Sequence, residues 1–201
     1  MRFGKDVGRE ENETTAESSS IGEIYLRREE IAGRVRELGA EIARDYQDRE
    51  PILVAPLKAS TVFLVDLSRS LPIPHTVDFV ELAGFTSAAL GGQQRIRLLK
   101  DLDIDITGRD LIIVEDVVDT GLTLNYLTRV FALRAPSSII IVTLFDRPYR
   151  RLVDDLPVRY VGFTVPDELF VGYGFDLDER FRNLPDIHLT TGSATDRSAS
   201  R

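Results

Sequence analysis

The run Leu111-Ile112-Ile113-Val114-Glu115-Asp116-Val117-Val118-Asp119-Thr120-Gly121-Leu122-Thr123 constrains this chain more than any other stretch. Its four leading apolar residues suit a strand buried on both faces. Three carboxylates and a Thr-Gly turn follow. Leu124, Leu127 and Phe131 then recur at helical spacing over residues 122–133. A strand running through a polar turn into a helix is half of a parallel crossover unit. The acidic residues therefore collect at the carboxyl end of a strand, where open α/β sheets bind ligands. Carboxylates there suit sugar hydroxyls and a hard cation. Thr120, Gly121 and Thr123 can offer hydroxyls and N–H groups to a phosphate at a helix start. The plainer alternative is a strand, a turn and a cap with no ligand.

The rest of the chain repeats the alternation. Ile31, Val35, Leu38, Ile42 and Tyr46 mark an amphipathic helix over residues 28–47 that covers a sheet. Short apolar runs follow at 52–57, 76–82, 111–114, 139–145 and 160–165, with a second helical segment at 61–70. Strands alternating with helices predict an α/β fold with a mainly parallel twisted sheet and helices on both faces. Residues 83–98 carry Gly84, Thr86, Ser87, Gly91 and Gly92 and few apolar anchors, which predicts a mobile excursion without regular structure. Residues 1–20 and 190–201 are polar and aperiodic, and read as a disordered leader and tail around a single domain at 21–189.

Composition removes several classes of function. At 43% apolar and 29% charged residues, 201 residues make one ordinary globular domain. With no Cys there is no disulfide framework, thiolate zinc site or cysteine nucleophile. His75 and His188, the two histidines, read as structural or surface residues. A net charge of −8 argues against a general nucleic-acid binder, which needs a basic surface. No run approaches the roughly 18 apolar residues of a membrane span, and the first residues lack a secretory apolar region. A cytoplasmic protein is expected. A nucleotide hydrolase of the P-loop type is excluded, because G-x-x-x-x-G-K-[ST] does not occur.

The segment from Val114 to Thr123 resembles the phosphoribosyl pyrophosphate (PRPP) motif of the type I phosphoribosyltransferases, in the form used by hypoxanthine-guanine enzymes. The likeness extends in order through Ile21-Gly22-Glu23-Ile24, Leu57-Lys58, residues 95–103, Val161-Gly162-Phe163, Pro166-Asp167-Glu168, Val171-Gly172-Tyr173-Gly174, Asp176 and Arg182-Asn183-Leu184-Pro185. It implies a small hood subdomain from about residues 160–189 with part of the N-terminal segment. It also implies a PRPP site made of Glu115, Asp116, Val118, Asp119, Thr120, Gly121, Leu122 and Thr123, with Asp119 as general base near the purine N7. Lys58, Ala59 and Arg182 would meet pyrophosphate. Glu115, Asp116 and Asp176 would serve Mg²⁺, the implied cofactor. Arg147, Phe163, Leu169 and Phe170 would line the base, and Gly84 and Phe85 would open a flexible loop. A homodimer or homotetramer is implied, with no nucleic-acid or membrane partner.

Departures from the family pattern cluster on the base side. Arg147 stands where the family has a lysine that donates to the purine 6-oxo group, and Arg is longer and planar. Leu169 replaces a stacking aromatic, with Phe170 one place later. Gly84-Phe85 replaces Ser-Tyr, and Ala59-Ser60 replaces a glycine-bearing pair whose backbone freedom helps it approach pyrophosphate. The leading expectation is transfer of 5-phosphoribose from PRPP to N9 of hypoxanthine or guanine. The alternatives are the same chemistry on a non-standard base in specialised metabolism, or a PRPP-sensing regulatory protein.

Overall fold

The computed structural model describes residues 21–87 and 93–190. The expected leader, the tail beyond residue 190 and the excursion's tip at 88–92 lie outside the described residues. In chain order the elements are β1 (Ile21–Leu26), α1 (Arg28–Asp45), β2 (Ile52–Pro56), α2 (Ser60–Ser70), β3 (Thr76–Ser87), β4 (Gln93–Lys100) and β5 (Asp110–Val118). They continue as α3 (Leu122–Ala132), β6 (Ser138–Asp146), β7 (Val158–Thr164), β8 (Phe170–Val171) and β9 (Ile187–Thr190).

The central sheet has the order β4-β3-β2-β5-β6-β7. Its pairs are parallel except for β3 with β4 at one edge. Side chains alternate across a strand, so an unbroken apolar run serves two cores at once. Leu53 and Ala55 of β2 face α1 and α2, where Ile31, Val35, Leu38 and Ile42 meet Phe63, Leu64 and Leu67. Ile52 and Val54 face the other way, toward Leu124, Leu127 and Phe131 of α3. Burying each such side chain contributes roughly 1.5–3 kcal/mol. Helix α1 starts where the Glu30 carboxylate accepts the Arg27 N–H at 2.9 Å. Glu29 and Glu30 in its first turn suit the positive end of the helix dipole.

A second, antiparallel sheet, β1-β9-β8, forms the hood. It docks through aromatic rings. Phe145, from the end of β6, lies 5.0 Å from Phe170 and 5.1 Å from Phe175 between ring centres, with Tyr25 of β1 at 6.3 Å. The hood boundary is corrected here: residues 160–164 belong to β7, the edge strand of the central sheet, and hood structure begins beyond them.

The irregular excursion expected over residues 83–98 is also corrected. Its described parts form an antiparallel ladder, from Leu82↔Leu98 through Ala83↔Arg97 to Ser87↔Gln93. The ladder pairs backbone groups that a bare loop would leave to water, and Leu82 and Leu98 anchor it on the α3-side core. Gly84 and Phe85 thus lie within β3.

Both histidines are structural. His75 Nδ1 lies 2.8 Å from the Ile73 carbonyl and Nε2 lies 2.8 Å from Ser68 Oγ, while His188 Nδ1 lies 3.2 Å from the Gly22 carbonyl. Among the described residues no helix is long and apolar enough to cross a membrane.

Candidate active site

A notch opens at the carboxyl end of the central sheet. Pairing of β2 with β5 stops at Val54↔Ile113, whereas β5 stays paired with β6 as far as Val118↔Asp146. β2 itself ends at Pro56, level with Glu115, so Asp116 to Val118 project past it and continue Glu115 as a ledge. The chain leaves β2 for β3 on one side and β5 for β6 on the other, so the notch sits where strand order reverses. Open α/β sheets bind ligands at such a point.

A cavity of about 160 Å³ fills the notch, lined by Leu57, Lys58, Ala59 and Ser60 on one wall and by Glu115, Asp116, Asp176 and Arg182 on the others. Residues expected to serve pyrophosphate and metal thus share one space. Asp116, 8% exposed, accepts a hydrogen bond from Ser60 Oγ at 3.0 Å, and its own N–H donates to that hydroxyl at 3.2 Å. The pair clamps the β5 ledge to the start of α2. The Leu57–Lys58 peptide is cis. Ala59 has ordinary helical angles, φ −62° and ψ −41°, which any residue adopts without strain. A glycine lies opposite, at Gly174, with φ +98° and its Cα facing the Ala59 carbonyl.

Two cations face this cavity, and acidic groups already hold both. Lys58 Nζ lies 3.0 Å from Glu179, and Arg182 Nη2 lies 2.9 Å from Asp176 and 3.2 Å from Glu179. Arg182 also donates to the Gly174 carbonyl at 2.8 Å. Hydrogen bonding from Lys58, then Arg182, holds the Glu179 carboxyl below the usual carboxylate range. Leu177 and Arg180 exchange backbone hydrogen bonds at 3.2 and 3.1 Å. Between them Asp178 and Glu179 both have positive φ, 52° and 62°. That is a type I′ hairpin turn, which favours Asn-Gly, and left-handed backbone costs an ordinary residue about 1–2 kcal/mol.

At the far end of the ledge, Gly121 (φ +80°) turns the chain into α3. Thr120 is fixed through its carbonyl, which accepts the Leu152 N–H at 3.0 Å. Thr120, Gly121, Leu122 and Thr123 therefore surround the start of an 11-residue helix, whose first N–H groups have no partner within the helix. Val118 is buried beneath them.

Asp119 faces two guanidinium groups, Arg150 Nε at 3.1 Å and Arg147 Nη1 at 3.6 Å. Arg150 in turn pairs with Asp167 at 2.7 Å. Arg147 is 5% exposed. It donates to the Glu168 carbonyl at 2.6 Å and lies over the Phe170 ring at 5.4 Å. Phe170, expected on the base side, has a buried ring. Neighbouring residues in extended chain point to opposite sides, and Phe170 takes the inward one, in the aromatic core behind Arg147. Leu169 is half-buried, and Phe163 packs edge-on against Phe145 at 6.2 Å.

Sequence reading missed Glu179 and Arg150. Arg150 had a faint signal, because a tight turn after Arg147 brings it back to Asp119. Glu179 had none, because Asp-Glu does not announce a type I′ turn. A larger cavity of about 530 Å³ lies between α1, α2 and residues 182–185 and shares only Arg182 with the notch. Its two carboxylates, Glu29 and Asp66, are engaged by Arg28 at 2.7 Å and by the Tyr173 hydroxyl at 2.8 Å, so the chemistry points to the smaller cavity. Among the described residues no three acidic or imidazole side chains form a ready-made metal cage. Mg²⁺ usually takes one or two carboxylates plus phosphate and water, so Glu115, Asp116 and Asp176 around one cavity suit it.

The family profile described as phosphoribosyl transferase domain matches residues 22–178. The chain is 44% identical over 165 residues to the hypoxanthine phosphoribosyltransferase of Salmonella typhimurium, covering 81% of this chain and 92% of that protein. It is 41% identical over 167 residues to the hypoxanthine-guanine phosphoribosyltransferase of Bacillus subtilis, covering 83% and 92%. A crystal structure of a hypoxanthine-guanine phosphoribosyltransferase from Bacillus anthracis superposes with a TM-score of 0.78 at 41% identity, over 86% of this chain and 98% of that one. With its acidic ledge at the switch point of a parallel sheet, the chain belongs to the type I phosphoribosyltransferase family and resembles the bacterial hypoxanthine-guanine enzymes.

Proposed function

We propose that the chain transfers 5-phosphoribose from PRPP to N9 of hypoxanthine or guanine, releasing pyrophosphate. The observation that carries this reading is the convergence of Lys58, Arg182, Glu115, Asp116 and Asp176 on one cavity beside the start of α3. Thr120, Gly121, Leu122 and Thr123 bind the 5′-phosphate at the helix start, which favours an anion. The ledge carboxylates orient the ribose hydroxyls. Lys58 and Arg182 bind the departing pyrophosphate, whose charge grows as the C1–O bond breaks. Mg²⁺, held by Asp176 and the ledge carboxylates, would supply charge neutralisation on pyrophosphate. Asp119 takes the N7 proton, and Arg150 and Arg147 orient it. A cytoplasmic location and a homodimer or homotetramer accompany this reading.

The acceptor is the point at which a second reading competes. Arg147 is turned into the protein, toward Glu168 and Phe170, and Leu169 offers no aromatic face. A non-standard purine-like base is favoured by those two features. Purified chain with PRPP, Mg²⁺ and hypoxanthine or guanine should release pyrophosphate, and Asp119→Asn should slow release by about 10²–10⁴-fold. PRPP binding without release would remove the 6-oxopurine assignment. Mass spectrometry of products from a base panel would then identify the acceptor.

A further inference from the structure

We propose that Glu179 is an internal counter-anion, which bridges Lys58 and Arg182 between turnovers and gives way to pyrophosphate when PRPP binds. The inference deepens the assignment of these two cations to pyrophosphate and rests on it. One carboxylate reaches both, at 3.0 and 3.2 Å, and the two cations line the cavity where a diphosphate would need the same N–H donors. Arg182 keeps Asp176 at 2.9 Å and the Gly174 carbonyl at 2.8 Å without it. Glu179 is therefore not what holds Arg182 in place. Lys58 has no other acidic partner among the described ion pairs.

The backbone supports the same reading. Glu179 sits at a turn position that glycine would occupy at lower cost, and an outlier of that kind points to a task for the side chain. Glu179 and Lys58 are both about two-thirds exposed, at 64% each, so water and salt weaken their attraction. A contact of that strength yields to a multiply charged anion and returns once the anion has gone. Its consequence is faster pyrophosphate release at the expense of PRPP affinity.

The two possible roles of Glu179 predict opposite signs. As a competing anion, its removal frees two donors. Glu179→Gln should lower the KM for PRPP and the inhibition constant for pyrophosphate, each by about two- to tenfold, with kcat unchanged or lower. Glu179→Asp, too short to span both cations, should shift them the same way but less. A prop that merely positioned Lys58 would, on removal, raise both constants.

Arg182→Gln serves as the companion variant. It should weaken pyrophosphate inhibition, which checks that these cations meet pyrophosphate at all. If Arg182→Gln weakens inhibition while Glu179→Gln leaves it unchanged or weaker, the counter-anion role is overturned and the pyrophosphate assignment stands. If neither variant moves it, both are overturned. Equal thermal unfolding temperatures for the wild-type chain and Glu179→Gln, an exposed site, would show that the shifts come from the site and not from the fold.

Discussion

The β5 ledge and the hood face one cavity but are built by opposite means. Everything the ledge contributes lies between Glu115 and Thr123, where strand, turn and helix start follow one another directly. The hood is assembled from remote pieces: β1 pairs with β9 at Ile21↔Thr190, and β8 joins them from a third stretch. Its approach to the notch runs through Gly172, Gly174 and the Asp178-Glu179 turn, all with positive φ. Local order lets the ledge act as a motif that can be read. The hood exists only once its parts have packed, and it brings Asp176, Glu179 and Arg182 with it.

Phe145→Ala tests the joint between the two regions and should have the largest effect on stability. The ring is fully buried and touches Tyr25, Phe163, Phe170 and Phe175. Its loss should cost about 3–5 kcal/mol in urea unfolding. A cost below about 1 kcal/mol would mean that the hood stands without the central sheet.

A glycine comparison is expected to be smaller and to separate the regions. A Cβ at Gly172 (φ +96°) would lie 2.1 Å from the Asp186 carbonyl oxygen, which is backbone. At Gly121 (φ +80°) the obstacles are the side-chain ends of Leu156 at 2.4 Å and Arg151 at 3.1 Å, which can move. Gly172→Ala should destabilise by about 3 kcal/mol and Gly121→Ala by about 1–2 kcal/mol. Equal costs would remove the contrast between a hood dependent on close backbone approach and a ledge dependent on local turn chemistry.

The smallest effect expected is alkaline. Burial, followed by hydrogen bonding to Asp45 and Asp66 respectively, pushes the Tyr160 and Tyr173 hydroxyls well above the ordinary tyrosine value. A folded pKa raised above its unfolded value gives stability that is complete below about pH 10 and is lost as pH rises toward the folded value. Each tyrosine should remove about 0.4 kcal/mol at pH 10. Tyr173→Phe should flatten that part of the curve in unfolding titrations between pH 8 and 11.

Much of this molecule was legible in its sequence. The period of Ile31, Val35, Leu38 and Ile42 marked the buried face of α1, and Leu124, Leu127 and Phe131 marked that of α3. The strands of the central sheet announced themselves as apolar runs because both faces are covered. Along β3 and β4, Gly, Thr and Ser hid the pairing from a reading based on hydrophobic period. The inward turn of Phe170 depended on strand phase in a segment too short to show it.

The sequence by itself determined the alternating sheet, the acidic ledge and the phosphate-suited turn, because each arises from residues within a few positions of one another. Only tertiary structure decided that Glu179 spans Lys58 and Arg182, that Ser60 clamps Asp116 across 56 residues, and that Arg147 packs on Phe170. Those contacts join segments whose meeting is set by the whole fold. No local propensity encodes it.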